Sequence, residues 1–187
     1  LRKTDRLIIV SIFVTGISWV LIGSTLRLYV AVSGEDRIAV YRQIDDDGNI
    51  VFESDIDIDG GPTSLTVSKD NRFLFSSQSG SGKISSFKID DKNGSLSLLS
   101  ETVAGSHASF LHLDQSEQFL ISSYYFEGHV MIHEVENGLL GNVPHQTIET
   151  GERPHSVEVD SSNRFVFVPH TAANGIFQFD FDSKTGL

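Results

Sequence analysis

A chain of 187 residues with 39% hydrophobic and 10% aromatic content has enough apolar surface to fold as one unit and reads as globular rather than disordered. Its formal net charge of −11 argues against a nucleic-acid partner, because phosphate-backbone binding needs clustered cations that release counterions. The absence of cysteine excludes disulfides, thiolate catalysis and Cys-ligated zinc.

The chain opens with Leu1-Arg2-Lys3-Thr4-Asp5-Arg6 and then runs from Leu7 to Gly23 without a charge. About 17 such residues is long for a signal h-region and short for a membrane span. Three readings follow: a cleaved secretory signal, an uncleaved membrane tether through residues 7–23, or a start with no cellular role. The first two place the folded part in the periplasm or outside the cell, the third in the cytoplasm. Residues 1–25 are therefore expected to stand apart as an apolar leader, with the folded domain at 26–187.

From Leu26 the chain repeats itself. Leu28-Tyr29-Val30, Phe73-Leu74-Phe75, Phe119-Leu120-Ile121 and Phe165-Val166-Phe167 align at a spacing of about 45 residues, a period shared by propeller blades. Extended segments precede three of these runs and end in the polar turns Ser68-Lys69-Asp70-Asn71, Asp114-Gln115-Ser116-Glu117 and Asp160-Ser161-Ser162-Asn163. Third strands follow, and then turns at Asp47-Gly48-Asn49, Asn93-Gly94-Ser95, Asn137-Gly138-Leu139 and Thr185-Gly186-Leu187, where glycine supplies the positive φ of a tight hairpin. No repeat shows a 3.6-residue apolar period, which excludes a helical solenoid. The predicted fold is all-β, a β-propeller of four-stranded antiparallel blades. The blades fall at about 26–60, 61–104, 105–150 and 151–187. The first repeat reads without a first strand, and the last stops at Leu187 where its fourth strand would begin. The expectation is a partial propeller, about half of a ring.

The repeat also supplies an internal comparison. Thr63, Ser109 and His155 share a slot at the start of the first strand, and Ser33, Gln78, Tyr124 and His170 share one at the end of the second. All seven are expected to ring one channel mouth, where convergent polar groups make ligand sites. A symmetric hairpin at 160–163 would set His155 across from Val168 and make the two imidazoles of His155 and His170 neighbours. Histidine titrates near neutrality and so suits proton transfer. Tyr124, Tyr125, Gln78, His170, Thr171 and Asn174 are the candidate groups for binding substrate hydroxyls or carboxylates.

Other motifs read as structure. Asp55-Ile56-Asp57-Ile58-Asp59-Gly60 matches half of a calcium loop, but the position that needs Glu holds Thr66, so the alternation reads as an edge strand and no metal is expected. His107, His112, His129, His133 and His145 show no paired metal spacing and read as single surface residues. Gly80-Ser81-Gly82-Lys83 lacks the spacing of a phosphate loop, and no Gly-x-Ser-x-Gly elbow occurs, which leaves no support for a serine hydrolase.

The four-strand repeats, the Pro62-Thr63 and Pro154-His155 openings, the Ser-Lys-Asp-Asn-Arg-Phe and Ser-Ser-Asn-Arg-Phe turns, and Tyr124-Tyr125 with Gly128 together resemble the seven-bladed propeller lactonases. That family includes bacterial 6-phosphogluconolactonases of the propeller type and the fungal carboxymuconate lactonizing enzyme. The resemblance covers Leu26 to Leu187, about four of seven blades. It implies hydrolysis of a sugar-acid lactone without a cofactor, with His155 as the acid/base residue. The partner Arg and Glu of the family belong to blades beyond Leu187. At His170-Thr171-Ala172-Ala173-Asn174-Gly175 the chain departs from the family's Asp-Leu-Gly-x-Asp-Arg, which removes a carboxylate and an arginine and puts the substrate in question. Two alternatives stand beside this reading: a non-catalytic secreted or tethered propeller that binds a protein or ligand, and a muconate-type cycloisomerase.

Overall fold

The structure, a computed structural model, describes residues 14–22 and 25–187, and no α-helix occurs among them. The strands are β-branched and aromatic-rich, and they collect into four antiparallel sheets in chain order. Blade 1 holds β1 (Val14–Ile22), β2 (Thr25–Val32), β3 (Arg37–Gln43) and β4 (Ile50–Asp57). Blade 2 holds β5 (Pro62–Val67), β6 (Phe73–Gln78), β7 (Lys83–Ile89) and β8 (Leu96–Val103). In blade 3, β9 (Phe110–Leu113), β10 (Phe119–Tyr124) and β11 (His129–Glu136) are followed by an outer strand split into β12 (Leu139–Leu140) and β13 (Gln146–Glu149), both paired with β11. Blade 4 has β14 (Glu158–Val159), β15 (Phe165–His170) and β16 (Gly175–Asp180). This is the all-β propeller arrangement that the repeat predicted.

The core lies between blades, because each sheet buries both faces of its inner strands. Val20, Tyr29, Ile38 and Val40 of blade 1 meet Leu74, Phe87 and Ile89 of blade 2. Phe75 and Ile84 then meet Leu111, Leu120 and Tyr124 of blade 3. Ile121, Val130 and Ile132 in turn meet Val157, Val159, Val166 and Val168 of blade 4.

One expectation needs correction: blade 1 does have a first strand. Val14–Ile22 pairs with β2 from Val14↔Val32 to Ile22↔Thr25. The segment resembles a leader because both of its faces are apolar. Val20 and Ile22 are buried against blade 2, while Ile17 (57% exposed) and Trp19 (54%) alternate onto the opposite face. Residues 1–13 and 23–24, which carry the rest of the expected leader and tether, lie outside the described residues. No helix of the described residues is long and apolar enough to cross a membrane. In the half calcium loop, Asp55 sits on the outer strand β4 and pairs with Arg37.

The turns between first and second strands also join neighbouring blades. Asn71, Glu117 and Asn163 occupy the left-handed region at φ 59, 59 and 58°, a conformation that Asn tolerates better than most residues. Each reaches back to the blade before it. Asn71 Nδ2 donates to Leu21 O, Glu117 Oε1 accepts from Lys69 N, and Asn163 both donates to Asp114 Oδ2 and accepts from Gln115 N. Within the last of these turns, the Ser162 hydroxyl and the backbone N–H groups of Arg164, Ser162 and Phe165 donate to Asp160 and hold its carboxyl well below the usual carboxylate range.

The predicted glycine turns adopt positive φ, as at Gly138 (80°) and Gly186 (72°). They are also close-packed: a Cβ on Gly138 would strike the Phe73 ring, and one on Gly186 the Phe119 ring. Gly138→Ala is therefore expected to cost about 2 kcal/mol, from the left-handed conformation plus overpacking. Denaturant unfolding measures it, and an unchanged midpoint would show that neither the left-handed conformation nor the Phe73 contact carries that cost.

Candidate functional site

The segment Arg153-Pro154-His155 links blade 3 to blade 4 and is pinned by backbone contacts. Pro154 forms an isolated bridge with His170, His155 N donates to Pro169 O at 2.9 Å, and Thr171 N donates to Arg153 O at 3.1 Å. The main chain is fixed on both sides of His155, while its imidazole is exposed at the rim. Tyr125 follows the end of β10, and its N–H donates to Ser109 Oγ at 3.2 Å. The Tyr125 ring stands edge-on to the His155 imidazole, with centroids 5.8 Å apart and planes at 83°. The Arg153 guanidinium lies over the same Tyr125 ring at 5.8 Å, and Thr171 Oγ1 reaches the Tyr125 hydroxyl at 3.5 Å. His155, Tyr125, Thr171 and Arg153 thus form one group at the junction of blades 3 and 4. Arg153 was not among the residues singled out from sequence; its φ of 61° aims it there, and an arginine ahead of Pro-His carries no sign of that conformation.

The expected pairing of the two imidazoles does not form. Pro154 opposes His170, where the expected register of His155 across from Val168 would put Arg153, and a one-residue offset sends adjacent side chains to opposite faces of a strand. The His170 side chain is 3% exposed, with Nδ1 3.0 Å from Glu152 O and its ring 4.5 Å from that of Phe177. Tyr124 and Gln78 share this fate. Tyr124 is fully buried, its hydroxyl 3.2 Å from Ser122 Oγ and its ring 4.6 Å from that of His129, and burial pushes the phenol up to about 12. Gln78 is fully buried with its Nε2 donating to Ser76 O at 3.1 Å. The slot at the end of the second strand is therefore a row of packed polar side chains between blades, each facing the preceding blade, rather than part of the rim. Ser33 lies in a short 3-10 turn after β2. Asn174 takes φ 49° in the exposed β15–β16 turn and makes no hydrogen bond to the His155 group.

His107, read from sequence as an isolated surface residue, is half-buried beside Thr63, which occupies the His155 slot of blade 2. Its Nε2 is 3.3 Å from Thr63 Oγ1, itself 2.8 Å from Ser77 Oγ, and burial holds the imidazole below its ordinary pKa. Its place in the connector just before β9 is the signal that the repeat could have given. A cleft of about 550 Å³ lined by Asp70, Arg72, Phe73, Glu134 and Lys184 opens at the opposite end of the blades, among the turns, and is remote from His155. Among the described residues no cluster of His, Asp and Glu suits a metal ion.

Comparisons with known proteins agree with this architecture. The family description "Lactonase, 7-bladed beta-propeller" matches residues 20–187. A 6-phosphogluconolactonase of Enterobacter sp. (strain 638) is 25% identical over 145 residues, 76% of this chain and 42% of the relative. The 6-phosphogluconolactonase of Xenorhabdus nematophila is 25% identical over 84% of this chain and 47% of its own length. Among solved structures, a protein from Lactobacillus plantarum superposes with a TM-score of 0.81 at 24% identity, covering 91% of this chain and 52% of that one. The periplasmic gluconolactonase of Pseudomonas aeruginosa gives 0.79 at 22% identity, over 93% and 51%. At these identities the structural likenesses carry the fold alone. The chain spans less than half the length of the curated relatives it matches. With a family match across nearly all its described blades, the chain belongs to the seven-bladed β-propeller lactonases.

Proposed function

We propose that these four blades contribute His155 as the general base of a lactone-hydrolysing site, and that the active unit is the closed seven-blade ring. The observation that carries this reading is the exposed His155 imidazole, held at the junction of blades 3 and 4 on a pinned main chain and faced by Tyr125. In the reaction, His155 takes a proton from water while the water oxygen bonds to the lactone carbonyl carbon. The ring C–O bond then breaks, and the imidazolium returns its proton to the departing ring oxygen, leaving a hydroxy acid. The hydroxyls of Tyr125 and Thr171, 3.5 Å apart, would bind substrate oxygens. The sugar-acid lactones implied by the relatives' names, δ-gluconolactone and its 6-phosphate, are the proposed substrates.

The test is acid release in a pH-stat from each lactone, with the complete ring present. Hydrolysis well above the spontaneous rate supports the reading. A rate equal to that of buffer for a folded ring overturns it.

A further inference from the structure

We infer that Arg153 is the anion-binding residue of this rim and makes the site select sugars that carry a phosphate or carboxylate over neutral ones. The inference deepens the proposed function and rests on it for the position of the reacting carbonyl, but the anion site itself rests on three separate observations.

The first is conformational. Arg153 sits at φ 61°, where a side chain other than glycine costs about 1–2 kcal/mol. The turn thus carries a strain that glycine would avoid, and its guanidinium lies over the Tyr125 ring that faces His155. The second is electrostatic. In a chain of net charge −11, Arg27, Arg37, Arg42 and Arg72 each pair with a carboxylate. Among the described residues no carboxylate pairs with Arg153 or with Arg164, which lies over Phe165 in the turn at the other end of the blade, so Arg153 is the unpaired cation on the His155 side. Its contact is the Tyr125 ring, 5.8 Å from the guanidinium carbon to the ring centroid, and no side-chain hydrogen bond among the described residues engages its N–H groups. A guanidinium offers paired donors matched to phosphate and carboxylate. The third is position. The same Tyr125 ring that carries Arg153 stands edge-on to His155 at 5.8 Å, so a ligand touching the imidazole lies within reach of the cation. Tyr125 acts as the common wall of both.

Binding of non-reacting sugars tests this without requiring turnover. Glucose, glucuronate and glucose 6-phosphate are titrated by calorimetry into the protein and into Arg153→Met and Arg153→Lys. The 6-phosphate or the glucuronate is expected to bind at least about tenfold more tightly than glucose, the scale of a hydrogen bond to a charged group. The stronger of the two identifies the anion. Arg153→Met should bring all three sugars to within about twofold, and Arg153→Lys should restore part of the preference, with unchanged melting temperatures. Equal binding of all three sugars to the parent protein, or a preference that survives in Arg153→Met, overturns the inference. Failure of lactone hydrolysis alongside an Arg153-dependent preference would count against the proposed reaction and leave the anion site standing.

Discussion

Replacing His155 with Gln is expected to lower lactone hydrolysis by about 10²–10⁴-fold, the usual contribution of a positioned general base. Glutamine keeps a polar side chain of similar reach but cannot accept the proton that water must lose. The loss should fall on kcat more than on KM, because in the proposed reaction the imidazole would transfer the proton while Tyr125, Thr171 and Arg153 would hold the substrate. The fold should not notice. The ring is exposed, and the hydrogen bond that fixes this segment comes from the His155 backbone N–H to Pro169 O, which glutamine retains. Substitution at such a site normally changes stability by less than about 0.5 kcal/mol. Initial rates with δ-gluconolactone and its 6-phosphate, together with a melting curve, settle the matter. A variant with more than half the parent rate would remove His155 from the reaction.

His133 is expected to make the fold acid-sensitive. It lies on β11 fully buried, and neither ring nitrogen has a hydrogen-bond partner among the described residues. Burial lowers its pKa to about 4, against about 6.5 in an unfolded chain. Above pH 6.5 the ring is neutral in both states and contributes no pH dependence. Between about 6.5 and 4 the unfolded chain takes up a proton that the folded chain refuses, so stability falls as the pH is lowered through that window. The limiting loss is about 3 kcal/mol, reached below pH 4, from the shift multiplied by 1.36 kcal/mol per unit. His133→Leu should remove this component and be neutral to stabilising at pH 7, because an unpaired buried polar group is replaced by an apolar one of similar size. Urea unfolding of both proteins at pH 7.5, 6, 5 and 4.5 measures the difference. Parallel curves for the two proteins would show that His133 is not the group responsible.

The blades were legible because their punctuation is chemical. Asn71 and Asn163 at left-handed positions and glycine at 94, 138 and 186 mark turns that few other residues can make, and they recur at one spacing. The inner strand β1 was hidden by the property that makes it an inner strand. Its side chains are apolar toward both faces, Val20 and Ile22 on one and Ile17 and Trp19 on the other, so no alternation distinguishes it from a hydrophobic leader. Within the site, the slot of His155 was visible from Thr63 and Ser109, but the partner across the strand was not. An isolated bridge between Pro154 and His170 shifts the register by one residue, and that step turned His170 into the sheet. Gln78 and Tyr124 were misplaced for the same reason, since polarity at the end of a strand does not reveal which face it joins. Arg153 escaped notice because its role comes from a backbone torsion.

The hydrogen bonds that Asn71, Glu117 and Asn163 send back to the blade before them connect adjacent blades only. A chain of such pairwise couplings behaves as a one-dimensional array, in which each unit is protected by its neighbours and a terminal unit by one alone. In this array Val157, Val159, Val166 and Val168 of blade 4 rest on Ile121, Val130 and Ile132 of blade 3. Since His155 and Arg153 sit where blade 4 begins, the integrity of the rim depends on these contacts between blades 3 and 4.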